Sequence, residues 1–391
     1  MPTQHEVSAP VSPVELLSGY RAGSSFFFSS PRGTQLAEGV ADTVPSAAGP
    51  GELGALPARV AALLAERRPG SVVVGAVPFD HNAPAALVVP ETVRRAAPLT
   101  AEHALPELGM NVPEWEIRPV PEPAEYVRSV RAALDPLRSG ELDKVVLARS
   151  LELTAPTTVD LGRLLNNLAR RDPSGYTFAA DLPGRTLVGA SPELLLSRRG
   201  TSVVSNPLAG SAARSTDPEE DQRRAAALLV SPKDRHEHAV VVEAVAAALR
   251  PYCRTLDVPA EPSLVRTATM WHLSTRVTGE LADERASALE LAAALHPTPA
   301  VCGTPVRAAR ATIGELEPFD RGFYTGMVGW CDAAGDGEWV VTIRCAEADD
   351  HSLRLFAGAG IVADSSPEAE LAETAAKFRT LLLAMGVEQI A

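Results

Sequence analysis

Cysteine is scarce in this chain and never falls in a C-x-x-C pair: Cys253, Cys302, Cys331 and Cys345 stand far apart. That spacing argues against a zinc finger or a disulfide framework and fits free thiols in a reducing compartment. Aromatic residues make up only 5% of the sequence, too few for a surface that stacks bases. Basic residues are outnumbered, 36 Lys and Arg against 49 Asp and Glu, and the formal charge of -13 disfavours nucleic acid or an anionic membrane as partner. No run approaches the roughly 18 uninterrupted apolar residues of a membrane helix, and no basic stretch followed by an apolar one opens the chain as a secretory signal would. A cytoplasmic protein with no membrane partner is expected.

What is present is ordinary for a soluble globular protein: 46% hydrophobic and 22% charged residues over 391 positions, enough for a substantial core. An anionic ligand would meet the acidic overall field, so its site would need local cations, either a metal or particular Lys and Arg residues. Residues 1–120 read as a mixed α/β region that contributes to a common core, with strand-like runs at Ser25 to Phe28 and Val72 to Val77 and a helix over Ala58 to Arg68. Pro119, Pro121 and Pro123 mark an extended connection, and 121–391 reads as the catalytic region. There the patterns predict strands at Lys144 to Leu153, Thr177 to Asp181, Thr186 to Ala190, Leu194 to Arg198, Tyr324 to Trp330, Trp339 to Ala346 and Ser352 to Gly358. Helices are predicted over Asp160 to Arg170, Asp217 to Leu229, Pro232 to Tyr252, Ala286 to Leu295 and Pro367 to Met385. Hairpin pairs outnumber βαβ units, so the expected class is α+β, large antiparallel sheets flanked by helices.

Several polar residues sit where the pattern asks for apolar ones. Ser231 can cap a helix on which steps of three and four from Glu237 reach Val241, Val245 and Leu249, so Glu237 points along the buried stripe. A lone buried carboxylate must be neutralised, paired or bound to a cation; the alternative is that the stripe ends a turn early and Glu237 sits at the exposed helix start. Alternation puts Lys144 on one strand face with Val146 and Ala148. If that face is interior, loss of water favours the neutral form of an amine, which a general base needs; otherwise Lys144 snorkels to solvent from the strand end. Glu193, in a turn between two apolar strands, could serve as a general acid or be an ordinary turn residue. Glu370, Glu373 and Lys377 share a helix face; two acids there suit magnesium, while a surface Glu373–Lys377 ion pair is the plainer account. His272 and Arg344 interrupt apolar runs, Pro207 to Ser211 could present backbone N–H groups, and Ala357 to Ile361 allows close approach to the backbone without the full dinucleotide fingerprint.

Together these segments resemble one family. Lys144-Val145-Val146-Leu147-Ala148-Arg149, Gly189-Ala190-Ser191-Pro192-Glu193, Pro207-Leu208-Ala209-Gly210-Ser211, Lys233-Asp234-Arg235-His236-Glu237-His238, His296-Pro297-Thr298-Pro299-Ala300 and Gly358 to Asp364 with Glu370 to Lys377 appear in the order seen in chorismate-utilising enzymes. The resemblance covers about residue 120 to the C terminus, and Ser24 to Pro31 is similar to the start of isochorismate synthases that serve dihydroxybenzoate siderophores. It implies the fold of that family and a magnesium-dependent conversion of chorismate to isochorismate. In that reading Lys144 activates water for attack at C2 and Glu193 protonates the departing C4 hydroxyl. Glu237 and Glu373 ligate Mg2+ with Glu370 close by. Gly210, Ser211, His272, Ala300, Tyr324, Arg344, Gly358 and Lys377 surround the substrate. Lys144, where ammonia users commonly carry Gln, and Ala209, where aminodeoxychorismate synthases carry lysine, are similar to the water-using members. Tyr324 is more similar to the salicylate synthases, which go on to eliminate pyruvate. A non-catalytic chorismate-binding protein is the reading from another class. A monomer is expected, with a downstream isochorismatase to take the product.

Overall fold

The computed structural model describes residues 11–110, 112 and 114–387. Short strands rich in Val, Leu, Phe and Ala, separated by tight turns, pair with their neighbours, and among the described residues they build antiparallel sheets of ten, nine and three strands. The two large sheets lie face to face. Phe26, Phe28, Val74, Phe178, Val328, Val340 and Phe356 fill the space between them. Helices Pro13–Ser18, Leu161–Arg171 and Pro367–Ala384 cover the outer face of the ten-stranded sheet. Glu52–Ala65, Pro232–Leu249 and Ala288–Leu295 cover that of the nine-stranded sheet. Each face of each sheet is therefore apolar, which is why the strands read as near-continuous hydrophobic runs as often as alternating ones. Among the described residues no helix is long and apolar enough to cross a membrane.

Strands from the first 120 residues belong to both large sheets: Ser25–Ser30 pairs with Tyr176–Leu182, and Val72–Val77 pairs with Met327–Asp332. Ser231 caps its helix as expected, its Oγ accepting the Asp234 N–H at 3.3 Å, with Pro232 in the first turn.

Three expectations shift. The helix expected from Ala58 begins at Glu52 and runs through Pro57, because Leu53, Leu56, Val60 and Leu64 form one buried stripe across the proline. The strand expected from Tyr324 begins at Met327, leaving Tyr324 and Thr325 in a turn where Thr325 has φ 60°. The strand expected over Trp339 to Ala346 is two strands, Gly337–Val341 in the nine-stranded sheet and Cys345–Ala348 in the ten-stranded one. Arg344, with φ 50°, ends the first run and lets the chain cross from sheet to sheet.

Candidate active site

The crossing at Thr342 to Arg344 opens onto a cavity bordered by helices Pro232–Leu249 and Pro367–Ala384 and by the strand Leu208–Ala213 of the small sheet. Glu193, Gly210, Ser211, Glu237, His272, Ala300, Tyr324, Arg344, Gly358, Glu373 and Lys377 all line it. Residues spread over most of the catalytic region thus meet in one place. Lys144 and Glu370 stand one layer behind the wall, each held by a partner of opposite charge.

Lys144 opens the strand Lys144–Thr154 and is fully buried on the face shared with Val146 and Ala148, so the interior reading of the alternation is right. Its Nζ lies 2.8 Å from Glu237 Oε1, an ion pair whose geometry gives the ammonium no aligned hydrogen bond. Glu237 is 8% exposed, on the buried side of its helix. The antiparallel neighbour strand Ser352–Ile361 brings Gly358 and Gly360 to the same place. A Cβ on Gly360 would lie 2.3 Å from Glu237 Oε1 and 2.9 Å from Lys144 Cε; one on Gly358 would lie 2.9 Å from the Tyr324 hydroxyl. Both glycines are therefore dictated by the side chains opposite. Gly360→Ala should push Glu237 off Lys144 and cost about 1–3 kcal/mol of stability by overpacking. Chemical denaturation measures this, and an unchanged midpoint would show that Glu237 yields freely.

Glu193 sits between strands Arg185–Ser191 and Leu194–Arg199, 3% exposed, and its Oε1 faces the Leu208 N–H at 3.5 Å. Burial pushes its carboxyl up to about 7, against the pull of that N–H and of Lys144, Arg344 and Lys377. A carboxyl that still holds its proton near neutral pH can give one away. Arg344, also buried, is lowered to about 10 by the loss of water. Its Nη2 meets His272 Nε2 at 3.3 Å, and its Nε has no partner. Burial, then Arg344 and Lys377, hold His272 well below its ordinary value, so it accepts as a neutral ring. A buried guanidinium with a spare donor is what a carboxylate ligand needs. Tyr324 stacks on Phe356 at 4.9 Å and burial raises its phenol.

The three candidate metal ligands each have a lysine of their own. Glu237 pairs with Lys144, Glu370 with Lys233 at 2.8 Å, and Glu373 with Lys377 at 2.6 Å; Lys377 also donates to the Gly358 carbonyl at 2.8 Å. Among the described residues no three His, Cys, Asp or Glu side chains are gathered as a ready cage. Burial works to raise Glu373, yet Lys377, joined by Lys233 and Ser211, outweighs it and holds the carboxyl below the usual range. Glu370 is raised, by burial first and then by Glu373 beside it. Burial likewise opposes the Lys233 ammonium, but Glu370, Glu237 and Glu373 together raise it above its usual value. Carboxylates without a thiolate are the donor chemistry of a hard divalent ion such as Mg2+. Lys233 and Gly360 stood in the motifs the sequence offered but were given no role of their own. The signals were there: Lys233 is one helical turn before Glu237, and Gly360 is two residues from Gly358 on a strand.

With this geometry in place, the sequence profile described as chorismate binding enzyme matches residues 61–386. The chain belongs to the chorismate-binding enzymes. This chorismate-binding enzyme is 58% identical over 386 residues to isochorismate synthase DhbC of Bacillus subtilis (strain 168), covering 96% of either chain. It is 45% identical to the vibriobactin-specific isochorismate synthase of Vibrio cholerae, over 93% of this chain and 92% of that one. The crystal structure of a putative 2,3-dihydroxybenzoate-specific isochorismate synthase, DhbC, from Bacillus anthracis superposes with a TM-score of 0.91 at 51% identity, covering 96% of this chain and 100% of that one. The α+β class of large antiparallel sheets with flanking helices is the architecture that these chorismate-binding enzymes share.

Proposed function

We propose that this chain is an isochorismate synthase, moving the hydroxyl function of chorismate from C4 to C2 by addition of water and loss of the C4 hydroxyl. The observation that carries the reading is a buried carboxylic acid, Glu193, on the wall of one cavity with Arg344 and Lys377, and a buried amine, Lys144, held just behind that wall by Glu237. Lys144, reacting as the neutral amine, takes a proton from water as its oxygen bonds to C2. The ring double bonds shift, the C4–O bond breaks, and Glu193 gives its proton to the leaving oxygen. Each group ends in the other's starting form, one having gained a proton and the other having lost one, so the reaction runs in either direction. Arg344, Lys377 and the backbone near Gly210, Ser211 and Gly358 would hold the two carboxylates, supplying the local cations an acidic molecule otherwise lacks. His272, Ala300 and Tyr324 complete the wall.

Glu237 and Glu373, with Glu370 behind them, would hold Mg2+. When bound, it neutralises the ring carboxylate and fixes its place. Glu237→Ala should weaken Mg2+ and chorismate binding together, each by tenfold or more, as read by titration calorimetry; full activity at low magnesium would remove Glu237 as a ligand. The names of the relatives favour supply of 2,3-dihydroxybenzoate for a siderophore. With all four cysteines free, we place the enzyme in the cytoplasm, a monomer whose product passes to an isochorismatase.

The Tyr324 hydroxyl beside Gly358 favours one second reading, a salicylate synthase that eliminates pyruvate in the same pocket. Incubation with chorismate and Mg2+ separates the two. Isochorismate without pyruvate, read by lactate dehydrogenase coupling, is expected; pyruvate released in step with chorismate loss would overturn that.

A further inference from the structure

His238 follows Glu237 on the helix Pro232–Leu249 and has no part in the chemistry above, yet it is buried with both ring nitrogens engaged. Nδ1 lies 3.2 Å from the Ala209 carbonyl oxygen and Nε2 lies 2.7 Å from Thr275 Oγ1. A carbonyl can only accept, so the ring donates from Nδ1 to Ala209, and the Thr275 hydroxyl, which can play either role, serves the other nitrogen. Ala209 and Gly210 belong to the strand Leu208–Ala213, whose pairing with Met270–Ser274 breaks between Leu208 and Ser211. Within that break neither Ala209 nor Gly210 has a register partner on the facing strand. The peptide that joins them is trans and planar, so its C=O and the Gly210 N–H point in opposite directions. Gly210 has φ 75°, and a Cβ there would come within 3.0 Å of Asp234 Cβ, so the bulge is pressed against the turn of helix that leads to His238.

We propose that His238 is a positioning residue: by holding the Ala209 carbonyl it turns the Gly210 N–H into the cavity, where that N–H donates to a carboxylate of the substrate. The inference rests on reading the cavity as the chorismate site. It assigns a function to the second histidine of Arg235-His236-Glu237-His238 that metal binding does not require.

Three variants test it, compared with the unaltered enzyme by steady-state kinetics on chorismate with saturating Mg2+. His238→Ala removes the donor, and KM should rise about tenfold or more, the worth of one hydrogen bond to a charged group, while kcat moves far less. His238→Asn places an amide N–H near the position of Nδ1 and should bring KM back to within about threefold, whereas His238→Gln reaches toward Thr275 instead and should not. A histidine that only supports the fold would lower the melting temperature and the active fraction in all three and leave KM alone; that pattern, or rescue by Gln rather than Asn, overturns the proposal. If His238→Ala does not fold, the Asn and Gln pair still decides it. Absence of chorismate turnover by the unaltered enzyme would instead bring down the reading of the cavity, and this inference with it.

Discussion

Replacing Lys144 with alanine should lower the turnover of chorismate by about 10²–10⁴-fold, the range that a positioned proton acceptor contributes, while binding of chorismate with Mg2+ survives. The amine is fully buried, begins a strand that forms the cavity floor, and has Glu237 at 2.8 Å as its partner. Removing it withdraws the group that accepts the proton of water but leaves Arg344, Lys377 and Glu373 on the wall. It also strands Glu237. Breaking a buried pair by deleting one partner costs about 3–5 kcal/mol in a closed interior, and less here because Glu237 opens onto the cavity. Turnover should therefore be normalised to folded protein, with Lys144→Met as a companion that keeps the apolar stem. Equilibrium binding and single-turnover measurements separate the two effects. Unchanged turnover in Lys144→Ala would remove this lysine from the reaction.

The second large effect belongs to Glu193. Because it acts as an acid and its carboxyl is pushed up to about 7 by burial, kcat/KM should fall tenfold per pH unit above that value. Glu193→Gln should lose about 10²–10⁴ of the rate and with it that alkaline limb. Stability moves too, and its sign follows from the same shift. A carboxyl whose value is raised in the folded protein favours folding fully below its unfolded value and loses that contribution as pH rises through about 7. The wild type should thus be less stable than Glu193→Gln at pH 8, by up to about 3 kcal/mol, with the gap closing toward pH 4. Urea unfolding at the two pH values checks this. A wild-type profile with no limb near 7, or a variant that keeps it, would assign the acid elsewhere.

How far the site could be read in advance depended on the distance over which each residue's placement is decided. Period-two alternation is local, and it put Lys144 on the correct face with Val146 and Ala148. The helical stripe through Val241, Val245 and Leu249 is local too, and Glu237 is buried at its head. The sheets, most helices and the gathering of Glu193, Arg344 and Lys377 followed from those patterns and from the order of the motifs. What was not legible depends on partners far along the chain. The apolar run from Trp339 to Ala346 gives no sign that it must break, because the cause is that Val340 pairs with Leu194 in one sheet and Cys345 with Gly189 in the other. Likewise nothing in the spacing of the acids says that each will meet its own lysine. Those pairs join separate elements, or, for Glu373 and Lys377, were readable only as an exposed helix pair.

The sharing of the two sheets between the ends of the chain has a consequence for synthesis. The strand Val72–Val77 has Ala86–Val89 beside it early but cannot find its second neighbour until the ribosome has passed Asp332, and Ser25–Ser30, paired with Gly33–Glu38, waits on its other edge for Tyr176–Leu182. Until then each of these valine- and phenylalanine-rich segments keeps one edge open, a state in which it is prone to join the wrong chain. The nascent polypeptide should therefore depend on chaperones until its last third is made.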